Sequence, residues 1–192
     1  MTINQLLQKL DTSSPILQAT FGLERENLRV TTDGHLAQTA HPSQLGSRNF
    51  HPTIQTDISE QQLELITPIA HSTKEARRLL GAISDVAGRS IDQSECLWPL
   101  SMPPQLTEED IIIARLENEY ERHYREGLAK KYGKKLQAIS GIHYNMELGK
   151  DLVAALFQVS SYHLLKDFKN DLYLKLARNF LRFRWLLTYL YG

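Results

Sequence analysis

Phe21-Gly22-Leu23-Glu24-Arg25-Glu26-Asn27-Leu28-Arg29-Val30 is the stretch on which the fold turns. In a strand, residues two apart share a face, so Glu24 and Glu26 would point one way and Arg25 the other. In a helix the two glutamates would stand about 200° apart. The neighbours favour the strand: Gln18 to Thr31 carries β-type residues and runs into Thr32-Asp33-Gly34, a strong turn signal. Two carboxylates side by side repel. They are tolerated on a solvated face, or where a cation lies between them.

Working outward, His35 to Thr39 fits the return strand of a hairpin, and Pro42 and Gly46 mark an irregular loop. Thr53 to Asp57 and Leu63 to Thr67 read as two more short strands, closed by Pro68. The period then changes. From Ser72 to Arg89, Ala76, Leu79, Leu80, Ile83, Val86 and Ala87 recur at helical spacing, behind the capping box Ser72-Thr73-Lys74-Glu75. Trp98 to Pro104 holds three prolines and predicts an extended loop. A second helix is predicted over Thr107 to Tyr132, capped by Thr107 and ended by Gly133. Leu136 to Leu148 alternates like a strand. Helices follow at Lys150 to Gln158 and Leu164 to Leu190. Upstream, Asn4 to Gln8 reads as a short helix and Thr12 to Pro15 as a break. Hairpins mixed with helices predict an α+β fold with a mainly antiparallel sheet.

Composition narrows the field. The chain has 192 residues, 42% hydrophobic and 23% charged, near the globular average. Its 22 basic and 22 acidic residues cancel, so no global field draws it to nucleic acid or an acidic membrane. The basic run Lys130-Lys131-Tyr132-Gly133-Lys134-Lys135 fits the solvated end of a helix, where lysines favour the dipole; a non-catalytic nucleic-acid module is the competing reading. The single cysteine, Cys96, cannot form an internal disulfide and reads as a buried structural residue. Met1 to Leu10 lacks the basic start and apolar stretch of a signal peptide. No run approaches the roughly 18 apolar residues of a membrane span, and the expected location is cytoplasmic. Phe180 to Tyr191 is dense in aromatic and aliphatic residues and needs covering.

Two further stretches carry chemistry. Ile54 to Pro68 contributes Asp57, Glu60 and Glu64. Asp57 and Glu64 would face opposite ways on one straight strand, and a turn near Ser59 to Gln61 would bring them to one side. Glu64 lies between Leu63 and Leu65, and a carboxylate among apolar neighbours needs a partner, either an arginine or a cation. Ile139-Ser140-Gly141-Ile142-His143-Tyr144-Asn145 adds an imidazole, which taken alone reads as a satisfied core histidine and gains its interest only if this strand converges with the other two. Together, Glu24, Glu26, Asp57, Glu64 and His143 make an oxygen-rich set with one nitrogen. That set suits Mg²⁺ or Mn²⁺ better than zinc. No Gly-x-x-x-x-Gly-Lys-Ser/Thr loop is present to cradle phosphates.

Five segments in order resemble the bacterial glutamate–cysteine ligases: Gly22 to Arg29, Gln55 to Glu60 with Leu63 to Pro68, Trp98 to Pro103, Tyr124 to Leu128, and Ile139 to Asn145. The resemblance implies a glutamine-synthetase-like fold, with a curved antiparallel sheet and helices packed outside. It implies ATP and Mg²⁺ (or Mn²⁺), with L-glutamate and L-cysteine as substrates joined through a γ-glutamyl phosphate in the first step of glutathione biosynthesis. By the same resemblance, Glu24, Glu26, Asp57, Glu64 and His143 match metal positions, and Tyr124, Leu128 and Gln137 match the cysteine side of the substrate site. Ile58 falls where many relatives carry phenylalanine. Within the family the chain is similar to the ligase half of bifunctional enzymes of Gram-positive bacteria, in which an ATP-grasp glutathione synthetase region follows. Residues 1–192 are therefore expected to be the N-terminal part of one catalytic domain, with no second domain. The rest of the ligase would supply another glutamate and the arginines, so the chain alone is expected to show little or no turnover. Another carboxylate–amine ligase with a different amine is the alternative.

Overall fold

The computed structural model describes residues 5, 8 and 18–191. The helix expected over Asn4 to Gln8 and the break at Thr12 to Pro15 lie outside the described residues, apart from Gln5 and Gln8. The chain divides into two compact units, one of residues 20–147 and one of residues 1–19 with 148–192.

In the first unit the spine is β1 (Ala19–Thr31). It pairs antiparallel with β3 (Gln62–Ile66), which pairs antiparallel with β2 (Ile54–Thr56). Its far end pairs antiparallel with β4 (Glu95–Leu97), and β5 (Ile142–Leu148) also pairs with it. Register decides what each face carries. Arg25 is opposite Leu65 and Asn27 opposite Leu63, so Leu63 and Leu65 share the face opposite the glutamates. That face is covered by α1 (Thr73–Ser90), whose Ala87, Leu80 and Ile83 join Leu45, Ile54, Leu63, Leu65 and Ile91 in one core. The other face carries Glu24, Glu26 and Leu28 with Gln62 and Glu64 opposite them. Its lower end is closed where Leu28 and Val30 pack on Leu36, Ile111 and Ala138. The glutamates stand where this second core stops.

A buried polar network fixes the loops around the sheet. Arg29 and Glu95, each 1% exposed at the side chain, form an ion pair at 2.9 Å. Glu60, in the β2–β3 turn, accepts from Arg48 Nη1 at 2.6 Å, from Arg115 N–H at 2.9 Å and from His41 N–H at 3.0 Å. Three donors to one buried carboxylate hold it below its usual pKa against the cost of burial.

α1 is capped as expected: Ser72 Oγ accepts from Glu75 N–H at 3.1 Å, while the Glu75 carboxylate reaches back to His71 N–H at 2.8 Å. The Thr32 to Gly34 turn is present, with Gly34 at φ 89°. Five expectations in this unit need correction. His35 to Thr39 forms no strand but a single bridge, Leu36 to Val30. The helix expected from Thr107 begins only at Glu119: α2 is Glu119–Tyr132, capped by Asn118 and ended by Gly133 at φ 82°. The reason is the β-branched run Ile111-Ile112-Ile113, a poor helix sequence. Its backbone pairs with the β2–β3 turn through Glu60 N–H to Ile112 O (2.7 Å) and Ala114 N–H to Ile58 O (3.0 Å). Cys96 is exposed on β4 rather than buried, and β4 itself carried too few apolar residues to announce a strand. Val86 is exposed despite its helical spacing. Before β5, a 3-10 turn at Lys135–Ala138 replaces the first part of the expected strand.

In the second unit, α3 (Lys150–Gln158) and α4 (Leu165–Phe183) pack through Leu152, Val153, Leu156, Phe168 and Leu172. The Phe157 and Phe168 rings lie 5.7 Å apart. The expected single helix to Leu190 breaks at Arg184, and α5 (Trp185–Tyr191) follows. Phe180, Phe183, Trp185, Tyr189 and Tyr191 are exposed. Among the described residues no helix is long and apolar enough to cross a membrane.

Candidate metal centre

Glu24 and Glu26 leave β1 on the face that α1 does not cover. Glu64 reaches the same face from β3, directly opposite Glu26. Like charges in that register destabilise a sheet unless something offsets them. Asp57 follows β2 at the tight turn, where its N–H donates to Gln62 O at 3.0 Å as the chain reverses towards Glu64. His143 comes from β5.

The imidazole is the junction. His143 Nδ1 lies 3.0 Å from Glu24 Oε2, and Nε2 lies 3.6 Å from Glu26 Oε1. One ligand atom each from Glu24, Glu64 and His143 falls within 4.8 Å of the others. Asp57 and Glu26 stand outside that tightest trio but share its field. Burial, then the Glu26 carboxylate, pushes Asp57 up to about 6. Burial, then Asp57, Glu24 and Glu26, raises Glu64. His143 is raised, first by its hydrogen bond to Glu24 and then by the charges of Glu26, Glu24 and Glu64. Burial first and crowded negative charge second raise the two carboxyls, while the hydrogen bond and the same negative charges raise the imidazole.

Among the described residues, no lysine or arginine forms an ion pair with Glu24, Glu26, Asp57 or Glu64. Arg125 of α2 is the cation whose charge Asp57 and Glu64 feel, and its Nη2 donates to Thr56 O at 3.4 Å. The donor set is carboxylate oxygen with one imidazole nitrogen, which fits a hard divalent cation such as Mg²⁺ or Mn²⁺. A cation of that kind would relieve the crowding that displaces Asp57 and Glu64.

Gly141 makes room for the His143 imidazole. Its N–H donates to Glu26 Oε2 at 2.7 Å, and a Cβ there would stand 2.9 Å from His143 Nε2. Gln62 Nε2 donates to the same Glu26 oxygen at 3.3 Å, and Asn145 Nδ2 donates to Glu24 Oε1 at 2.8 Å. Sequence reasoning assigned no role to Gln62, Asn145, Arg125 or Gly141. The strand period could have found two of them, since Asn145 follows His143 by two residues and Gln62 precedes Glu64 by two.

The residues expected on the cysteine side come from three places in the fold. Ile58 is half-buried beside Asp57. Tyr124 is exposed and Leu128 half-buried, one turn apart on α2. Gln137 is half-buried in the 3-10 turn before β5.

Comparison with known proteins gives the family and the fold. Residues 4–192 match the model of the glutamate-cysteine ligase family. The chain belongs to that family. Its relatives include the glutathione biosynthesis bifunctional protein of Streptococcus thermophilus, 69% identical over the whole chain, and that of Enterococcus faecalis, 52% identical. The chain spans about a quarter (26%) of the length of each. Among solved structures, a bifunctional glutathione synthetase from Pasteurella multocida superposes with a TM-score of 0.86 at 48% identity, over 90% of this chain and 23% of that one. The glutamate–cysteine ligase of Francisella tularensis in complex with AMP gives 0.81 at 36%, over 90% and 34%. The α+β fold with an open antiparallel sheet is thus that of glutamate–cysteine ligases.

Proposed function

We propose that this chain contributes the cation-binding wall of a glutamate–cysteine ligase, acting in the cytoplasm in the first step of glutathione biosynthesis. The observation that carries the reading is that ligand atoms of Glu24, Glu64 and His143 lie within 4.8 Å of one another on the sheet face that also carries Glu26 and Asp57, with no lysine or arginine ion pair to these carboxylates among the described residues. The substrates would be ATP, L-glutamate and L-cysteine. ATP would transfer its γ-phosphoryl group to the side-chain carboxylate of glutamate, releasing ADP. The cysteine amine would then form the new C–N bond as phosphate leaves with the C–O bond. Activation is required because a carboxylate at neutral pH resists attack by an amine.

Mg²⁺ or Mn²⁺ held by Glu24, Glu26, Asp57, Glu64 and His143 would supply positive charge against nucleotide phosphates. The chain's own residues prepare that wall. β1 and β3 set Glu26 against Glu64 by register, the β2–β3 turn brings Asp57 round, and Gly141 lets His143 close over both glutamates. Tyr124, Leu128, Gln137 and Ile58 are assigned to the cysteine side. At Ile58, a side chain smaller than phenylalanine would change the shape of that pocket. The assignment of residues 1–192 to the N-terminal part of one catalytic domain is supported by a single family model that matches residues 4–192. In the longer protein, a glutathione synthetase region would follow.

The test uses a chimera in which this chain replaces the corresponding stretch of the Streptococcus thermophilus relative. The expected outcome is ADP release that requires glutamate, cysteine and Mg²⁺ together, and that is lost in Glu24→Gln and Glu64→Gln. A chimera that turns over equally well with both substitutions rejects the reading. A preference for another amine over cysteine would select the alternative ligase.

A further inference from the structure

Glu24 and Glu26 each have one oxygen held by amide N–H donors and the other turned to the His143 imidazole. Asn145 Nδ2 donates to Glu24 Oε1 at 2.8 Å, while Glu24 Oε2 faces His143 Nδ1 at 3.0 Å. Gly141 N–H and Gln62 Nε2 donate to Glu26 Oε2, while Glu26 Oε1 faces His143 Nε2. The same division occurs twice on adjacent carboxylates, and every donor to the outer oxygens is a neutral amide.

That choice of donor has a consequence. The last torsion of a glutamate is broad and roughly two-fold, so a free carboxylate presents either oxygen over a range of angles. An amide that takes one oxygen removes this freedom. A lysine or arginine in its place would also bring a charge that competes with a cation, whereas an amide brings none. The amide orientation at Asn145 follows from chemistry, because a carboxylate accepts only from the NH₂ end. Asn145 stands two residues from His143 on the same face of β5, so one strand delivers both the imidazole and the clamp.

We propose that Asn145 is a positioning residue of the cation site: its amide holds Glu24 Oε1 so that Glu24 Oε2 is the oxygen offered to a divalent cation. This rests on the reading that the site takes such a cation. Removing a group that orients a metal ligand lowers metal affinity about ten- to a hundredfold. Asn145 is exposed, so its truncation leaves the core untouched.

Mn²⁺ is titrated into this metal-free chain, and free ion is followed by electron paramagnetic resonance. The variants are Asn145→Ala and Met146→Ala, the latter one residue along β5 on its opposite face. Thermal midpoints are measured in chelator. The expected result is saturable binding by the parent, an affinity roughly ten- to a hundredfold weaker in Asn145→Ala, unchanged affinity in Met146→Ala, and equal midpoints in all three. If the parent does not bind Mn²⁺, the cation reading itself fails. If the parent binds and Asn145→Ala binds as tightly, positioning by Asn145 is overturned. It is equally overturned if Met146→Ala loses as much, or if the Asn145→Ala midpoint falls, since the effect would then be one of strand packing.

Discussion

Gly141 has no room for a side chain on the side facing His143. A Cβ would meet His143 Nε2 at 2.9 Å, inside any ordinary contact, and Glu26 Oε2 at 3.5 Å. The obstructed atom is the tip of a side chain on an exposed strand, so the imidazole can swing away while the backbone stays. Gly141→Ala should therefore leave the thermal midpoint nearly unchanged and weaken Mn²⁺ binding about tenfold, in the range seen when a metal ligand is misoriented. Unchanged affinity would show that His143 is not held where the structure places it. At this scale the sequence was partly readable. The spacing of Glu24 and Glu26 announced a shared face because the strand period is two. The stretch from Ile54 to Pro68 offered three carboxylates without saying which turns inward. Glu60 does, because Arg48, His41 and Arg115 converge on it from loops remote in sequence. Convergence of that kind has no local signature.

At the scale of elements, the segment after β1 is tied to the sheet through His41. Its Nδ1 lies 2.8 Å from Thr56 Oγ1, and its ring is buried. Burial, then the charges of Arg48 and Arg29, lowers its pKa from 6.5 to about 4. Between these values the unfolded chain takes a proton that the folded chain refuses. The stability His41 contributes is thus full above about pH 6.5 and is lost as pH falls towards 4. A shift of this size corresponds to something on the order of 3 kcal/mol. Urea titrations of the parent and His41→Gln should show a stability gap that changes by about this amount between about pH 7 and about pH 4. Comparing the two proteins removes the opposite contribution of Asp57, whose raised pKa makes acidification stabilising there. A gap independent of pH would contradict the account. Elements with a strong period or a distinct cap were legible: α1 from Ser72 and α2's end from Gly133. The start of α2 was not, because acidic residues after Thr107 imitate a helix N-terminus. The isoleucine run behind them pairs with the β2–β3 turn instead.

For the molecule as a whole, two faces of one sheet have been given different work. The face of Leu63 and Leu65 is sealed by α1, and the opposite face stays open beyond Leu28 and gathers negative charge. Hydrophobic burial on one side fixes the register, and the register alone then sets Glu26 against Glu64. The α+β class and the antiparallel sheet were legible in the alternation of short strands and helices. The division into two units was not, since no linker composition marks Leu148 or Ala19. The claim tested most directly is that carboxylates from three strands and one imidazole bind a single class of hard divalent cation. Crystals of this chain grown with Mn²⁺ and measured for its anomalous scattering decide it. The account predicts a peak bonded to Glu24, Glu64 and His143; strong peaks elsewhere with none on this face would contradict it.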